Sequence, residues 1–128
     1  MSYYFAKTVK LPFDQAIAKV TDALNARGFG ILTTIDVKAT MQKKLDVDFR
    51  PYTILGACNP PFAHEALAAE DKIGTMLPCN VIVQETAPGV VEVAAIDPVA
   101  SMQAVDNAAL MPIAGQVRGL LKDAVDSL

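Results

Sequence analysis

Two cysteines carry the side chains best suited to chemistry in this sequence of 128 residues. Each is followed by asparagine and lies within two residues of a proline, in Cys58-Asn59-Pro60 and in Pro78-Cys79-Asn80. Asparagine followed by proline is typical of a helix start, which places Cys58 just before a helix. Unpaired N–H groups and the helix dipole stabilise negative charge at such a position, so they favour the reactive thiolate form of Cys58.

His64, the single histidine, lies within the first turns of the helix that follows Cys58. It could accept a proton from a thiol, or it could be a third metal ligand beside two sulfurs. The alternative is structural, because free cysteines are often buried and an amphipathic helix often exposes a histidine. Paired Cys-x-x-Cys spacing is missing, so we expect neither a metal nor a cofactor.

Whether the thiols of Cys58 and Cys79 meet depends on the sheet topology. The end of one antiparallel strand lies beside the start of its neighbour, whereas a parallel crossover places these two points at opposite ends of the sheet. In the first case the two cysteines define a common site. Its candidate members are the residues of the two Cys-Asn motifs and their neighbours: Cys58, Asn59, Pro60, His64, Cys79 and Asn80.

Composition excludes several classes of protein. The chain is 52% hydrophobic and 20% charged, with a formal net charge of −3. This hydrophobic fraction is incompatible with a disordered chain, and the slight acidity argues against nucleic-acid binding, which needs clustered positive charge. No apolar run approaches the roughly 20 residues of a membrane span. The first residues lack a basic segment followed by an apolar one, so we expect a cytoplasmic protein with free thiols and no membrane partner.

Hydrophobic periodicity predicts alternating strands and helices. Strands are expected at residues 3–10, 29–37, 52–58, 79–85 and 90–96, the last two forming a hairpin. Helices are expected at residues 11–27, 38–45 and 60–70, with a short helical segment at 97–103. In a final helix, the apolar residues that recur at helical spacing from Leu110 to Ala124 form one face. Gly28 is expected to end the first helix, and Gly56 to let another backbone or a ligand approach the third strand.

The order of these elements predicts the fold class. Residues 1–128 form one domain with a two-layer α+β fold, in which a largely antiparallel sheet of about five strands carries helices mainly on one face. A doubly wound parallel sheet is the alternative, but it would require more regular alternation of strands and helices.

Four ordered segments, residues 28–32, 35–40, 52–61 and 77–81, resemble a bacterial and archaeal family known as domain of unknown function 302. The two Cys-Asn motifs are the most specific part of this resemblance. It implies a compact α+β fold and a homodimer, and it supplies no substrate, reaction or catalytic residue. Asp46 stands where the family pattern has glycine, which weakens the expectation of a left-handed helix end there.

Two functions are compatible with these residues. The first is a homodimeric binding or accessory module, in which Asn59 and Asn80 offer amide groups to a small polar molecule between the two cysteines. The second is a thiol-dependent redox or sulfur-handling protein, with Cys58 as the attacking thiolate, Cys79 as the resolving thiol and His64 as a base. The binding module requires fewer special features, so we favour it.

Overall fold

A computed structural model describes residues 2–128. It contains one five-stranded sheet in the order β1-β5-β4-β3-β2, and all four neighbouring pairs are antiparallel. The strands are β1 (Tyr4–Val9), β2 (Gly30–Asp36), β3 (Tyr52–Cys58), β4 (Cys79–Ala87) and β5 (Val90–Ile96). The predicted α+β class, the strand number and the hairpin of β4 and β5 are confirmed, and the doubly wound alternative is wrong.

Five α-helices connect or follow the strands: α1 (Phe13–Asn25), α2 (Val37–Leu45), α3 (Pro60–Ala69), α4 (Pro98–Ser101) and α5 (Leu110–Asp126). Two 3₁₀ segments, Asp71–Met76 and Met102–Ala104, complete the chain. The first of these lies between α3 and β4. It is anchored by Ile73, which is buried in a small second core. Within residues 2–128, no helix combines the length and apolar character that crossing a bilayer requires.

The main core lies between α1, α5 and one face of the sheet. Odd-numbered residues of the central strands point into it, because side chains alternate along a strand. They meet the apolar stripes of the two helices, whose buried members include Val20, Leu24 and Leu121. The even-numbered residues of the same strands form the opposite face of the sheet, which we call the open face.

Helix ends follow local sequence signals at two of three positions. Gly28 has a φ of +86° after α1, and the Asp36 side chain accepts a hydrogen bond of 2.9 Å from the Ala39 N–H at the start of α2. Asp46, however, adopts the left-handed conformation with a φ of 53°, although glycine is missing there. Aspartate tolerates this conformation better than most residues, and Gln42 Nε2 holds its carboxylate at 2.7 Å.

Gly56 is required by side chains rather than by a backbone or a ligand. A Cβ atom at this position would collide with the hydroxyl of Thr33 on β2 and would lie 2.8 Å from Cγ of Pro78. The prediction of a close approach to β3 was therefore correct, but its assignment to a backbone or a ligand was wrong.

Candidate functional site

The pairing of β3 with β4 brings the two Cys-Asn motifs to the same end of the sheet. Ala57 lies opposite Cys79, and Gly56 lies opposite Asn80. Cys58 is the last residue of β3 and Cys79 is the first residue of β4. The antiparallel arrangement on which a common site depends is thus the one present.

A cavity of about 300 Å³ lies at this end of the sheet and is lined by Cys58, Asn59 and Cys79. Its walls come from the strand ends, from α3, from α5 and from the segment after β5. They are predominantly apolar, with contributions from Phe29, Leu32, Phe62, Leu67, Leu77, Pro98, Met102, Ile113 and Val117. Among residues 2–128, Asn59 is the only lining residue with an amide group, and the two thiols are the other polar side-chain groups.

Cys79 lies on the helix-facing side of β4, in phase with the buried residues Val81 and Val83. Burial, and to a lesser extent the negative charge of a nearby Cys58 thiolate, raise the pKa of the Cys79 thiol from an ordinary 9.0 to about 11. A thiol with this pKa is protonated at neutral pH. It is therefore a weak nucleophile there, since the thiolate is the reacting species.

Cys58 occupies a different position in the pleat. It follows the buried Ala57, so alternation directs its side chain away from the face that Cys79 occupies. Both cysteines nevertheless line the cavity, because the cavity extends around the end of the sheet and takes residues of both phases, including Ala57 and Pro78. Cys58 is half-buried and has a free thiol.

Asn59 starts α3 as predicted, but its side chain does not cap the helix. Its backbone carbonyl accepts the Ala63 N–H at 3.0 Å, which is the first bond of the helix. Its Nδ2 donates instead to the carbonyl of Arg27, at 3.4 Å, in the turn after α1. The expectation of a side-chain cap was wrong, because the turn after α1 offers the amide a tertiary partner.

The structure does not bring Pro60, His64 and Asn80 into the cavity. All three are exposed, and none is a lining residue. His64 lies on α3 between Ala63, which lines the cavity, and Glu65, which is exposed. The geometry therefore supports neither a base nor a third sulfur-site ligand at His64. Among residues 2–128 no cluster of three or more metal-ligating side chains occurs.

Sequence reasoning did not identify the walls contributed by α5 and by the segment after β5. Ile113 and Val117 belong to the predicted apolar face of the last helix. Leu67 lies in the predicted third helix, and it is 44% exposed and lines the cavity. The sequence contains no signal for this distinction, since a cavity wall and a close-packed core both require apolar residues at helical spacing.

The fold and the site together define a two-layer α+β domain with an apolar cavity at one end of an antiparallel sheet. The chain belongs to the family described as domain of unknown function DUF302, whose model matches residues 5–128. Among solved structures it is similar to an uncharacterized conserved DUF302 protein from Bacillus stearothermophilus, with 26% identity, a TM-score of 0.90 and 98% of both chains covered. No curated protein matches the chain.

Proposed function

We propose that this domain is a binding module for a small, mostly apolar molecule that occupies the cavity at the end of β3 and β4. The observation that carries the proposal is the cavity itself, about 300 Å³ in volume and lined almost entirely by apolar side chains. Ligand sites are typically concave and apolar, with a few polar groups that fix orientation. This chemistry differs from the small polar ligand that the two asparagines suggested.

Asn59 supplies the polar group that orients the ligand. Its Nδ2 donates one of its two hydrogens to the carbonyl of Arg27, and its Oδ1 is the acceptor that we assign to the ligand. A hydroxyl group on the ligand would donate to this oxygen. The volume corresponds to roughly ten water molecules at about 30 Å³ each, which fits one aromatic ring with a short substituent or a medium-length alcohol.

Thermal unfolding with a panel of small probes tests this proposal. We expect p-cresol, indole and 1-octanol to raise the melting temperature in a saturable manner, and glucose and glycine to leave it unchanged. A ligand at 100 times its dissociation constant stabilises the folded state by about 2.7 kcal/mol. If none of the three apolar probes raises the melting temperature, the proposal is wrong.

Two variants on the same helix localise the binding. Ala63 lines the cavity, whereas Ala68 is exposed on α3. Ala63→Phe should abolish the stabilisation by the probes, because the new ring occupies the ligand volume, and Ala68→Phe should retain it. Equal responses of the two variants would place the ligand elsewhere on the protein.

The proposed module is a homodimer in the cytoplasm. The open face supports the dimer, since Ile35, Ile54 and Ile82 lie on it outside the two hydrophobic cores of residues 2–128, and Ile35 is 47% exposed. The two neighbouring free cysteines are compatible with a reducing compartment, where glutathione keeps thiols reduced.

A thiol-dependent redox function is the second candidate, and one observation favours it. The two cysteines line the same cavity, and the Cys58 thiolate is close enough to raise the pKa of Cys79. In this candidate, a Cys58 thiolate attacks hydrogen peroxide to give a sulfenic acid and hydroxide, which takes a proton from solvent to become water. The Cys79 thiol then displaces a second water to form the disulfide.

Peptide mapping after peroxide treatment separates the two candidates. The redox candidate predicts one intramolecular Cys58–Cys79 disulfide that forms with a single equivalent of peroxide and is reversed by dithiothreitol. Cys79→Ser should then accumulate the Cys58 sulfenic acid. If this disulfide does not form and the double variant Cys58→Ser/Cys79→Ser still binds the apolar probes, the redox candidate is wrong and the binding module is supported.

A further inference from the structure

A continuous row of apolar side chains crosses the open face at right angles to the strands. The pairing registers place five residues side by side, one from each strand: Ile35, Ile54, Ile82, Ala94 and Ala6. Among residues 2–128, none of the five belongs to either hydrophobic core. We call these five residues the central row. Its three isoleucines lie on β2, β3 and β4, and its two alanines lie on β5 and β1.

The next row toward the cavity has the opposite distribution of size. Its small members are Thr33 and Gly56, which are paired on β2 and β3. Its large members are Ile96 and Tyr4, which are paired on β5 and β1. Thr33 and Pro78 fill the space over Gly56, and Ile96 also packs against the main core, so the match in shape depends on the central row.

Opposite charges lie on the other side of the central row. Arg50 Nε donates to Gln84 Oε1 at 2.8 Å, and Gln84 Nε2 donates to Glu92 Oε1 at 2.9 Å. The Arg50 guanidinium is held over the rings of Phe49 and Tyr52, at 4.5 and 5.6 Å from their centroids. Tyr52 pairs with Gln84 and Gln84 with Glu92. The positive group therefore comes from the residues just before β3 and the negative group from β5, on either side of β4.

We infer that the open face binds a second copy of this chain through a twofold axis that runs along β4 in the plane of the interface. This inference rests on the proposed homodimer and specifies its surface. Such an axis exchanges β3 with β5 and β2 with β1, and it keeps each row on the same row of the partner. It is the operation that makes the face complementary to itself.

The axis matches both shape and charge. In the central row it sets Ile54 and Ile35 each against an alanine of the partner. It also places Arg50 of each copy beside the partner's Glu92, which gives two symmetric ion pairs. An apolar centre with charged groups at its margin is the usual composition of a protein interface.

The size of the face is sufficient for a dimer. Five strands about 4.8 Å apart and about seven residues long at 3.4 Å each cover roughly 600 Å² of each copy. The two copies together would bury roughly 1,200 Å², which is at the lower end of the range for specific protein interfaces.

Two charge reversals test the inference by sedimentation velocity over a range of concentrations. Arg50→Glu creates two Glu–Glu contacts in the dimer, and Glu92→Arg creates two Arg–Arg contacts. Each variant alone should raise the dissociation constant by about 100-fold or more, because close charge pairs across interfaces contribute about 1.5–7 kcal/mol. An equimolar mixture of the two variants should form a heterodimer, since both of its pairs are again opposite in charge.

Each substitution also breaks a hydrogen bond to Gln84 within its own chain, and mixing the two variants does not restore that bond. Recovery of dimerisation in the mixture would therefore report on contacts between the subunits. Lys19→Glu and Asp22→Lys, both exposed on α1, serve as control reversals and should leave dimerisation unchanged. A mixture that stays monomeric would overturn the inferred pairing. If both single variants dimerise as strongly as the wild type, the protein is a homodimer but the open face is not its interface. A monomeric wild-type protein would overturn both, and binding of the apolar probes would be unaffected.

Discussion

Arg118 Nε donates to Asp97 Oδ2 at 3.1 Å, so an ion pair joins the middle of α5 to the turn after β5. The Arg118 guanidinium also lies 5.0 Å from the ring centroid of Phe5, and Asp97 is only 8% exposed. Residues next to both partners, Pro98 and Val117, line the cavity. The pair therefore fixes the position of one cavity wall relative to another.

Replacement of Asp97 should destabilise the protein. The second carboxylate oxygen accepts the Val99 N–H at 3.0 Å, so Asp97→Ala removes a helix cap together with the ion pair. We expect the free energy of unfolding to fall by about 2–3 kcal/mol in urea titrations. Asp97→Asn retains a capping group and should cost less. As a control, Asp126→Ala breaks an exposed pair with Lys122 and should change stability by less than about 0.5 kcal/mol. Equal effects of Asp97→Ala and Asp126→Ala would contradict this assignment.

A methyl group at Gly56 should strain the sheet. Gly56→Ala forces Thr33 and Pro78 to move, and overpacking of this kind typically costs about 1–3 kcal/mol. Gly115 on α5 is the matched control, because a Cβ atom there meets nothing within 4 Å. Gly115→Ala should raise stability by up to about 1 kcal/mol through helix propensity. Thermal unfolding measures both effects, and a neutral Gly56→Ala variant would disprove the close contact.

Stability should fall in alkaline solution because of Cys79. Its pKa is about 11 in the folded protein and near 9.0 in the unfolded chain. The folded state therefore retains a proton that the unfolded state releases between these values. The contribution of the protonated Cys79 thiol to the free energy of unfolding is fully present below pH 9. It falls by on the order of 2 kcal/mol as the pH rises toward 11.

Urea titrations of the wild type and of Cys79→Ala between pH 8 and 11 isolate this contribution. Lysine and tyrosine residues titrate in both proteins, so the difference between the two stability curves reports on Cys79. We expect the wild-type advantage to shrink across this interval. Parallel curves would show that the Cys79 thiol has an ordinary pKa.

Glycine at position 46 should improve the end of α2. Asp46 adopts a φ of 53°, where glycine avoids the steric cost of a side chain. Asp46→Gly should raise the free energy of unfolding by about 0.5–1 kcal/mol, less any loss of the Gln42 hydrogen bond. Gln42→Ala measures that loss separately. A destabilised Asp46→Gly variant in a Gln42→Ala background would contradict the argument.

Local signals made much of the fold predictable. The apolar positions of α1 recur at helical spacing, and Ala16, Val20 and Leu24 are indeed buried. Asp36 and Asp97 accept the expected hydrogen bonds at helix starts. These features depend on residues within about four positions of one another, so the sequence contains the necessary information.

The candidate site was predictable only in part. Its cysteines and Asn59 stand out by residue type, whereas the exclusion of His64 depends on the direction in which one face of α3 points. The diversion of the Asn59 amide to Arg27 depends on two segments that are 32 positions apart in sequence. Such contacts are set by the packing of whole elements, which no local spacing encodes.

The sequence alone determined the strands, the helices, the α+β class and the two Cys-Asn motifs, because each follows from residue type and short-range periodicity. The tertiary structure decided that β3 and β4 are antiparallel neighbours and that Cys58 and Cys79 line one apolar cavity. It also decided that the open face carries an apolar row with Arg50 and Glu92 along one side of it. These outcomes depend on the pairing of distant strands. The same side chains would have been separated under a different strand order.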